Sequence, residues 1–304
     1  MLIRSNLSDL FNTTALPAIN HLVWQKYNEK PSLISTCFNM QTSDRDIEQT
    51  STFSGFDVAT TIAEGESVTY QDIIQGYDKT YTHVKYGKGF RVSDELIADG
   101  KFMTIEKLSK ALGRSLFEVR EVEAADEFNS GTTSSSANPN GEALFSTTHA
   151  LIRGGTEQNT LTTDADLSMT SLRQALADLR DTRSDENLRL NIKAKYLLTP
   201  GTNPVMYDAY ELTRSTDRPD TASRAINNNQ LTGLEHVIWD YLTDADSWFL
   251  VADKGDHELY FFDREAPKLK SDVDFDPGAH KVKMETRFSH GWSDWRGLYG
   301  CYGA

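Results

Sequence analysis

The chain has 304 residues, enough for a sizeable core and one to three domains. Hydrophobic residues make up 38% of it and the mean hydropathy is −0.51, a balance suited to an open shape or to a subunit that completes its core with neighbours. The net charge is −14 and no run of Lys and Arg stands out, which argues against a tight grip on nucleic acid, where many basic side chains must neutralise phosphates.

No apolar run approaches the ~20 residues of a membrane span, and the first 30 residues lack the basic start and apolar block of a secretory signal. Cys37 and Cys301 lie near opposite ends, so neither a zinc ligand set nor a disulfide framework is expected. They read as unpaired thiols made in a reducing compartment.

Leu16, Ile19, Val23 and Tyr27 predict a short amphipathic helix, with Pro17 tolerable in its first turn. Residues 31–41 look extended, with little to bury against locally, and read as an arm. The region 44–100 is the most acidic, with eleven acids against five bases. Within it, 53–62 and 77–86 favour strand and flank the turn-prone Ala63-Glu-Gly-Glu66. Such a hairpin is marginal alone in water and needs a partner surface. Residues 101–131 predict one long helix with an apolar stripe at Ile105, Leu108, Leu112, Leu116, Val119 and Val122. Thr104 is placed to cap it, Glu106 to pair with Lys110, and Asn129, Ser130 and Gly131 to stop it. At ~1.5 Å per residue this is a rod of roughly 40 Å, suited to holding partners at a fixed distance.

A polar loop over 132–140 follows, then 141–149 and a glycine turn at Gly154 and Gly155. Asp166-Leu-Ser168 opens a helix with Leu167, Leu172, Leu176 and Leu179 on its apolar side. A strand over 194–199, a helix over 204–214, a long polar loop over 215–230 and strands over 234–241, 248–252 and 259–262 complete an α/β lobe. In the tail, Val282, Met284, Thr286 and Phe288 alternate with Lys281, Lys283, Glu285 and Arg287, which sets one face in a core and one in solvent. The opposing run 269–275 alternates likewise, joined through Asp276-Pro-Gly278.

Chemical motifs are weak. Asp272, Asp274 and Asp276 have the spacing of a calcium loop's first ligands, but Pro277 stands where that loop needs glycine and Lys283 where it needs a bidentate glutamate. They read as acids on the solvent face of a hairpin. His149, after Ser146-Thr-Thr148, sits in a local polar cluster, with neither an activated nucleophile nor an orienting acid in view, and reads as a turn-stabilising histidine. No catalytic residue, metal ligand or cofactor is expected.

Six segments in order resemble a known family: Tyr77-Asp-Lys-Thr-Tyr-Thr-His83, Phe90-Arg-Val-Ser93, Ala143-Leu-Phe-Ser-Thr-Thr-His149, Lys195-Tyr-Leu-Leu-Thr-Pro200, Ala245-Asp-Ser-Trp-Phe-Leu-Val-Ala-Asp253 and Gly291-Trp-Ser-Asp-Trp-Arg-Gly-Leu-Tyr299. The chain resembles the Mu-like major head (capsid) proteins of tailed bacteriophages from about residue 20 to Ala304. The resemblance implies an α+β Hong Kong 97-type capsid fold. It implies an N-terminal arm over 1–48, an extended β-hairpin loop over 49–92, a peripheral domain over 93–165 and 265–304 with a spine helix at about 104–130, and an axial α/β domain over 166–264.

It further implies a structural, non-enzymatic subunit that self-assembles through pentamers and hexamers into an icosahedral shell. That shell would enclose double-stranded DNA without binding it specifically and without a membrane. Assembly in the bacterial host cytoplasm and residence in the virion follow, and scaffold, portal and decoration proteins are further partners of such shells. By position, Arg4 and Trp24 in the arm and Glu64, Glu66 and Asp72 near the hairpin tip are expected at inter-subunit contacts. The alternatives are an encapsulin-like compartment of the same fold and, from a different class, a soluble acidic hydrolase or binding module.

Overall fold

In chain order the elements are helices α1 (Leu16–Tyr27) and α2 (Ile34–Cys37), strands β1 (Asn39–Thr42), β2 (Ile47–Phe53), β3 (Gln75–Thr82) and β4 (Val84–Ser93), helices α3 (Asp94–Ala98) and α4 (Phe102–Asn129), and the short strands β5 (His149–Ala150) and β6 (Thr156–Glu157). Then come α5 (Met169–Asp181), β7 (Ala194–Thr199), α6 (Val205–Arg214), β8 (Glu235–Ile238), β9 (Trp248–Ala252), β10 (Leu259–Asp274), β11 (Ala279–Trp292) and β12 (Leu298–Cys301). The computed structural model describes residues 15–133, 138–139, 141–201, 204–214, 233–274 and 278–303. Arg4, the run 215–230 and the Asp276-Pro277 turn lie outside the described residues.

Helix α4 runs for 28 residues, about 42 Å at 1.5 Å per residue. It lies between α1 and a four-stranded sheet ordered β1-β10-β11-β4, in which β1 runs parallel to β10 and the other pairs are antiparallel. Because two flanks must be covered, the buried face is broader than the apolar stripe. Ile105, Leu112, Leu116, Phe117, Ala124, Ala125 and Phe128 are buried, and so are Ser109, Arg120 and Glu121. Leu108 and Val122, expected in the stripe, are 37% and 48% exposed. Thr104 does not cap the helix: Lys101 holds the cap position without a side-chain bond, and the Thr104 amide donates to the Lys101 carbonyl. The expected Glu106–Lys110 pair forms at 2.6 Å.

The tail hairpin follows its alternation on the inward side of β11 only: Glu285, expected in solvent, is buried too, and Val273 of the opposing run is 46% exposed, with Phe275 outside the described residues. Val282, Met284, Thr286 and Phe288 are all buried, with Val282 and Met284 packed among Ile19, Val23, Val92, Ile105, Leu112 and Leu116. The 259–262 run, expected in the α/β lobe, instead begins the 16-residue β10, which continues to Asp274 beside β11. Register shifts between Asp263 and Glu265 and between Glu265 and Lys268 carry the strand past Pro267, whose missing N–H would break a regular ladder.

A second sheet, ordered β12-β9-β7-β8, takes the chain's closing strand: Leu298–Cys301 pairs antiparallel with β9. Both of its faces are covered. Along β9, Trp248, Leu250 and Ala252 pack with Leu172, Leu179, Ala209 and Leu212 of α5 and α6. Phe249 and Val251 face the other way, toward Phe128, Phe145 and Trp292. A strand buried on both sides reads as a continuous apolar run, which is why 248–252 shows no alternation. Helix α5 opens with a capping box in which the Ser171 amide donates to Ser168 Oγ and the Ser168 amide donates to Ser171 Oγ.

The segment expected to project as an extended arm is packed from Leu16 onward. Helix α1 lies on α4, α2 replaces part of the extended run, and β1 pairs with β10. Phe38 is fully buried, edge-on to Phe128, Trp239 and Phe261. Those rings are remote in sequence, so the segment's burial could not be read locally. The hairpin also differs from expectation. Strand β2 ends at Phe53, and between it and β3 residues 54–74 form no helix or strand. Among the described residues their β-branched and aromatic content pairs with no strand. The expected 77–86 strand is two strands, divided at His83, which is buried between Ser43 Oγ at 3.1 Å and Ser289 Oγ at 3.0 Å.

Candidate assembly surfaces

The foot of the β2–β3 hairpin is fastened to the tail. The Tyr77 hydroxyl donates to the Ser293 carbonyl, and the Ser293 hydroxyl lies 2.6 Å from both Tyr81 Oη and Thr50 Oγ1. Tyr81 packs on Phe262 with ring centroids 5.0 Å apart, and burial pushes its phenol up to about 12. Gly291, at φ 150°, admits that ring: a Cβ there would stand 2.8 Å from Tyr81 Cε1.

Beyond this foot the loop presents Tyr70, 92% exposed, Val58, 69% exposed, and Phe53, Phe56, Ile62 and Val68, all at least half exposed. An apolar set of this kind on one loop marks an interaction surface rather than ordinary surface scatter. No Lys or Arg occurs between Asp46 and Asp78, whereas Asp57, Glu64, Glu66 and Asp72 all lie there. Glu64 and Glu66 are exposed at a tight turn closed by the Glu66 amide on the Ala63 carbonyl at 3.1 Å. Asp72 sits near the foot, where its carbonyl accepts from Arg153 Nη2 at 3.1 Å. Trp24 is half-buried on α1, edge-on to Tyr27 at 5.5 Å and against the α1–α4 core. The structure therefore separates the expected contact residues: Glu64 and Glu66 together at the loop turn, Asp72 at its foot, Trp24 on a helix.

Polar groups buried along α4 join the two sheets to the N-terminal segment, and sequence reasoning missed them because they interrupt an apolar face. Glu121 accepts from Ser32 Oγ at 2.6 Å and from Trp239 Nε1 at 3.1 Å; burial pushes its carboxyl up and these hydrogen bonds oppose the shift. His290 lies 2.9 Å from Glu127 and 3.7 Å from Glu123. Burial disfavours its charge, but the two carboxylates outweigh this and hold the imidazole at about 9.

His149 is buried and stacks on Trp295 at 4.3 Å, with Nε2 donating to Asn159 Oδ1 at 2.9 Å. Burial pushes its pKa down, so the neutral ring fastens the 144–149 segment through Asn159, which also donates to the Leu144 carbonyl at 2.8 Å. Asp274 pairs with Lys281, and Lys283 pairs with Glu285, so Asp272 and Asp274 of the calcium-like run belong to a strand ladder. Among the described residues no group of three or more His, Cys, Asp or Glu is placed to hold a metal ion. No described helix is long and apolar enough to cross a membrane.

The sheet also gathers basic residues that the linear sequence disperses. Lys85, Lys270 and Lys283 converge on Glu285, at 2.7 Å and 3.3 Å for the first two. Hydrogen bonds from these lysines hold its carboxyl at about 2.

The model of a family described as phage capsid protein matches residues 76–300. No curated protein matches. Among solved structures, a chain of Microbacterium phage Oxtober96 is 12% identical, with a TM-score of 0.57 over 90% of this chain and 92% of that one. The capsid of the cyanophage P-SCSP1u is 13% identical, with a TM-score of 0.55 over 90% and 89%. The virus-like particle from Pyrococcus furiosus is 11% identical, with a TM-score of 0.53 over 95% and 99%. Identities this low speak to the fold, the α+β Hong Kong 97-type capsid fold. Matched by that family model over most of its length, the chain belongs to the phage capsid protein family, as a structural capsid subunit rather than an enzyme.

Proposed function

We propose that this protein is the major head subunit of a tailed double-stranded DNA bacteriophage or prophage, of the Mu-like branch, and that it assembles in the host cytoplasm through pentamers and hexamers into an icosahedral shell. The observation that carries this reading is the β2–β3 hairpin: fastened at Ser293, it ends in a loop whose apolar side chains are exposed among the described residues. Burying them on a neighbour couples the ordering of that loop to assembly. Closed, symmetric repetition of such contacts makes a finite shell.

In this reading, the extended loop expected over 49–92 is β2, residues 54–74 and β3, while β4 belongs to the peripheral sheet. Helix α4 with the β1-β10-β11-β4 sheet forms the peripheral domain, and the β12-β9-β7-β8 sheet with α5 and α6 forms the axial domain. Strand β12 would then belong with the axial sheet, and β10 from its start with the peripheral one. The acidic balance of −14 suits a DNA container, since a lining that bound phosphate tightly would hinder packing and release.

The test is size-exclusion chromatography with light scattering on the full chain, followed by electron microscopy. Megadalton closed particles are the expected result. A monomer or small oligomer that persists at high concentration overturns the reading. Strong binding of the purified subunit to DNA at low salt would overturn the account of its acidity.

A further inference from the structure

The face of the first sheet turned away from α4 carries a trough of about 560 Å3, lined by residues 89–91 of β4, 270–272 of β10 and 281–283 of β11. Strand periodicity sets its position. Val282 and Met284 point into the α1–α4 core, so Lys281 and Lys283 point outward, with Arg91 opposite Lys281, and with Gly89 and Lys270 flanking Lys283. Glycine makes it hollow: a Cβ at Gly89 would stand 2.6 Å from the Val282 carbonyl and 2.9 Å from Lys283 Cβ.

The trough is over-supplied with positive charge. Its lining sets Arg91, Lys270, Lys281 and Lys283 against one carboxylate, Asp272; Lys281 also pairs with Asp274, and the neighbouring Glu285 is shared by three ammonium groups, those of Lys85, Lys270 and Lys283. In a chain of net charge −14 this is a local excess of cations that an acidic segment would complement.

This chain carries one such segment on its own loop, but at the wrong end to use it. Val84 pairs with Phe288, Tyr81 packs at Gly291, and Tyr77 bonds to Ser293, so β3 continues the course of β4 along β11 and past its end. The loop departs beyond Gln75, whereas the trough begins at residue 89. At ~3.3 Å per strand residue these lie about 45 Å apart.

We infer that the lysine trough of one subunit seats the acidic Glu64–Glu66 turn of the loop from a second copy of this chain. The loop carboxylates complete the neutralisation that Glu285 begins, and the exposed apolar residues on either side of the turn cover the sheet around it. This rests on the assembly reading above and names the receptor surface for its loop.

The experiment mixes two full-length variants, Glu66→Cys and Lys283→Cys, under assembling conditions and then oxidises them. The native Cys37 and Cys301 are both fully buried and do not compete. A disulfide-linked dimer at least about tenfold above that of either variant alone is expected, because docking raises the effective concentration of the paired thiols. Shells that form from the mixture with no such excess overturn the inference and leave the assembly reading standing. Failure of the parent chain to form particles removes both.

A second arm reads charge. Lys270→Glu/Lys283→Glu is expected to stop assembly while the subunit keeps its near-ultraviolet circular dichroism, and adding Glu64→Lys/Glu66→Lys in the same chain is expected to restore particles. Trough reversal that leaves particles intact but lowers the DNA they retain would make the trough a phosphate seat and overturn the inference.

Discussion

Arg120 of the long helix and Asp263 of the first sheet meet through two parallel hydrogen bonds, Nη1 to Oδ1 at 2.6 Å and Nη2 to Oδ2 at 2.9 Å. Their side chains are 9% and 22% exposed, and the guanidinium lies over the rings of Phe261 and Phe288 at 4.9 and 5.3 Å. Asp263 stands at the register shift of β10, so the pair holds the spine helix to the sheet where the sheet's own ladder is interrupted. Removing one partner strands a buried charge. Arg120→Leu and Asp263→Leu are each expected to cost about 3–5 kcal/mol, and the double variant clearly less than the sum. Urea unfolding of dissociated subunits measures this; additive losses would contradict the coupling.

Gly113 lies mid-helix, where alanine is ordinarily preferred by about 1 kcal/mol. Here α1 crosses so closely that a Cβ would stand 2.3 Å from the Val23 carbonyl. Gly113→Ala is therefore expected to destabilise the subunit, despite better helix propensity, and to expose the N-terminal segment to limited proteolysis. An unchanged or improved melting temperature with α1 still protected would refute the close approach.

Two histidines bound the pH range of stability. The His290 pKa is raised to about 9, so its contribution is complete below the unfolded value near 6.5 and is lost as pH rises through 9. Burial lowers His257 to about 4, so its contribution is complete above 6.5 and is lost as pH falls toward 4. Each is worth roughly 3 kcal/mol across its window. His290→Gln is expected to flatten the alkaline limb of a stability–pH profile of dissociated subunits while leaving the acid limb in place.

Ser293→Ala removes the hydroxyl shared by Tyr81 and Thr50 at the foot of the hairpin. The stranded hydroxyls, that of buried Tyr81 above all, are expected to cost about 1–3 kcal/mol. Faster amide hydrogen exchange confined to β2 and β3 would locate that loss at the foot, whereas uniform exchange across β10 and β11 would assign Ser293 to the sheet as a whole.

Periodicity along the chain determined which residues turn inward. The inward positions Val282, Met284, Thr286 and Phe288, the spacing of Ile105, Leu112 and Leu116, the apolar run of β9 and the Ser168 start of α5 each express a local preference for burying one side, and each matches the structure. The expected Thr104 cap and the strand over 53–62 failed because propensity names a conformation without naming the neighbour that must stabilise it. Glu64 and Glu66 were legible only as acids at a turn, whereas the lysines opposite them in charge lie on three strands up to about 200 residues apart in the chain. Only the tertiary structure decided that Phe38 closes the core, that β10 belongs to one sheet and β12 to the other, and that Lys85, Lys270 and Lys283 share one glutamate. The physical reason is that a sequence pattern records the need of a face to leave water, while the partner that covers it is chosen by long-range pairing, shape and charge, which no local window contains.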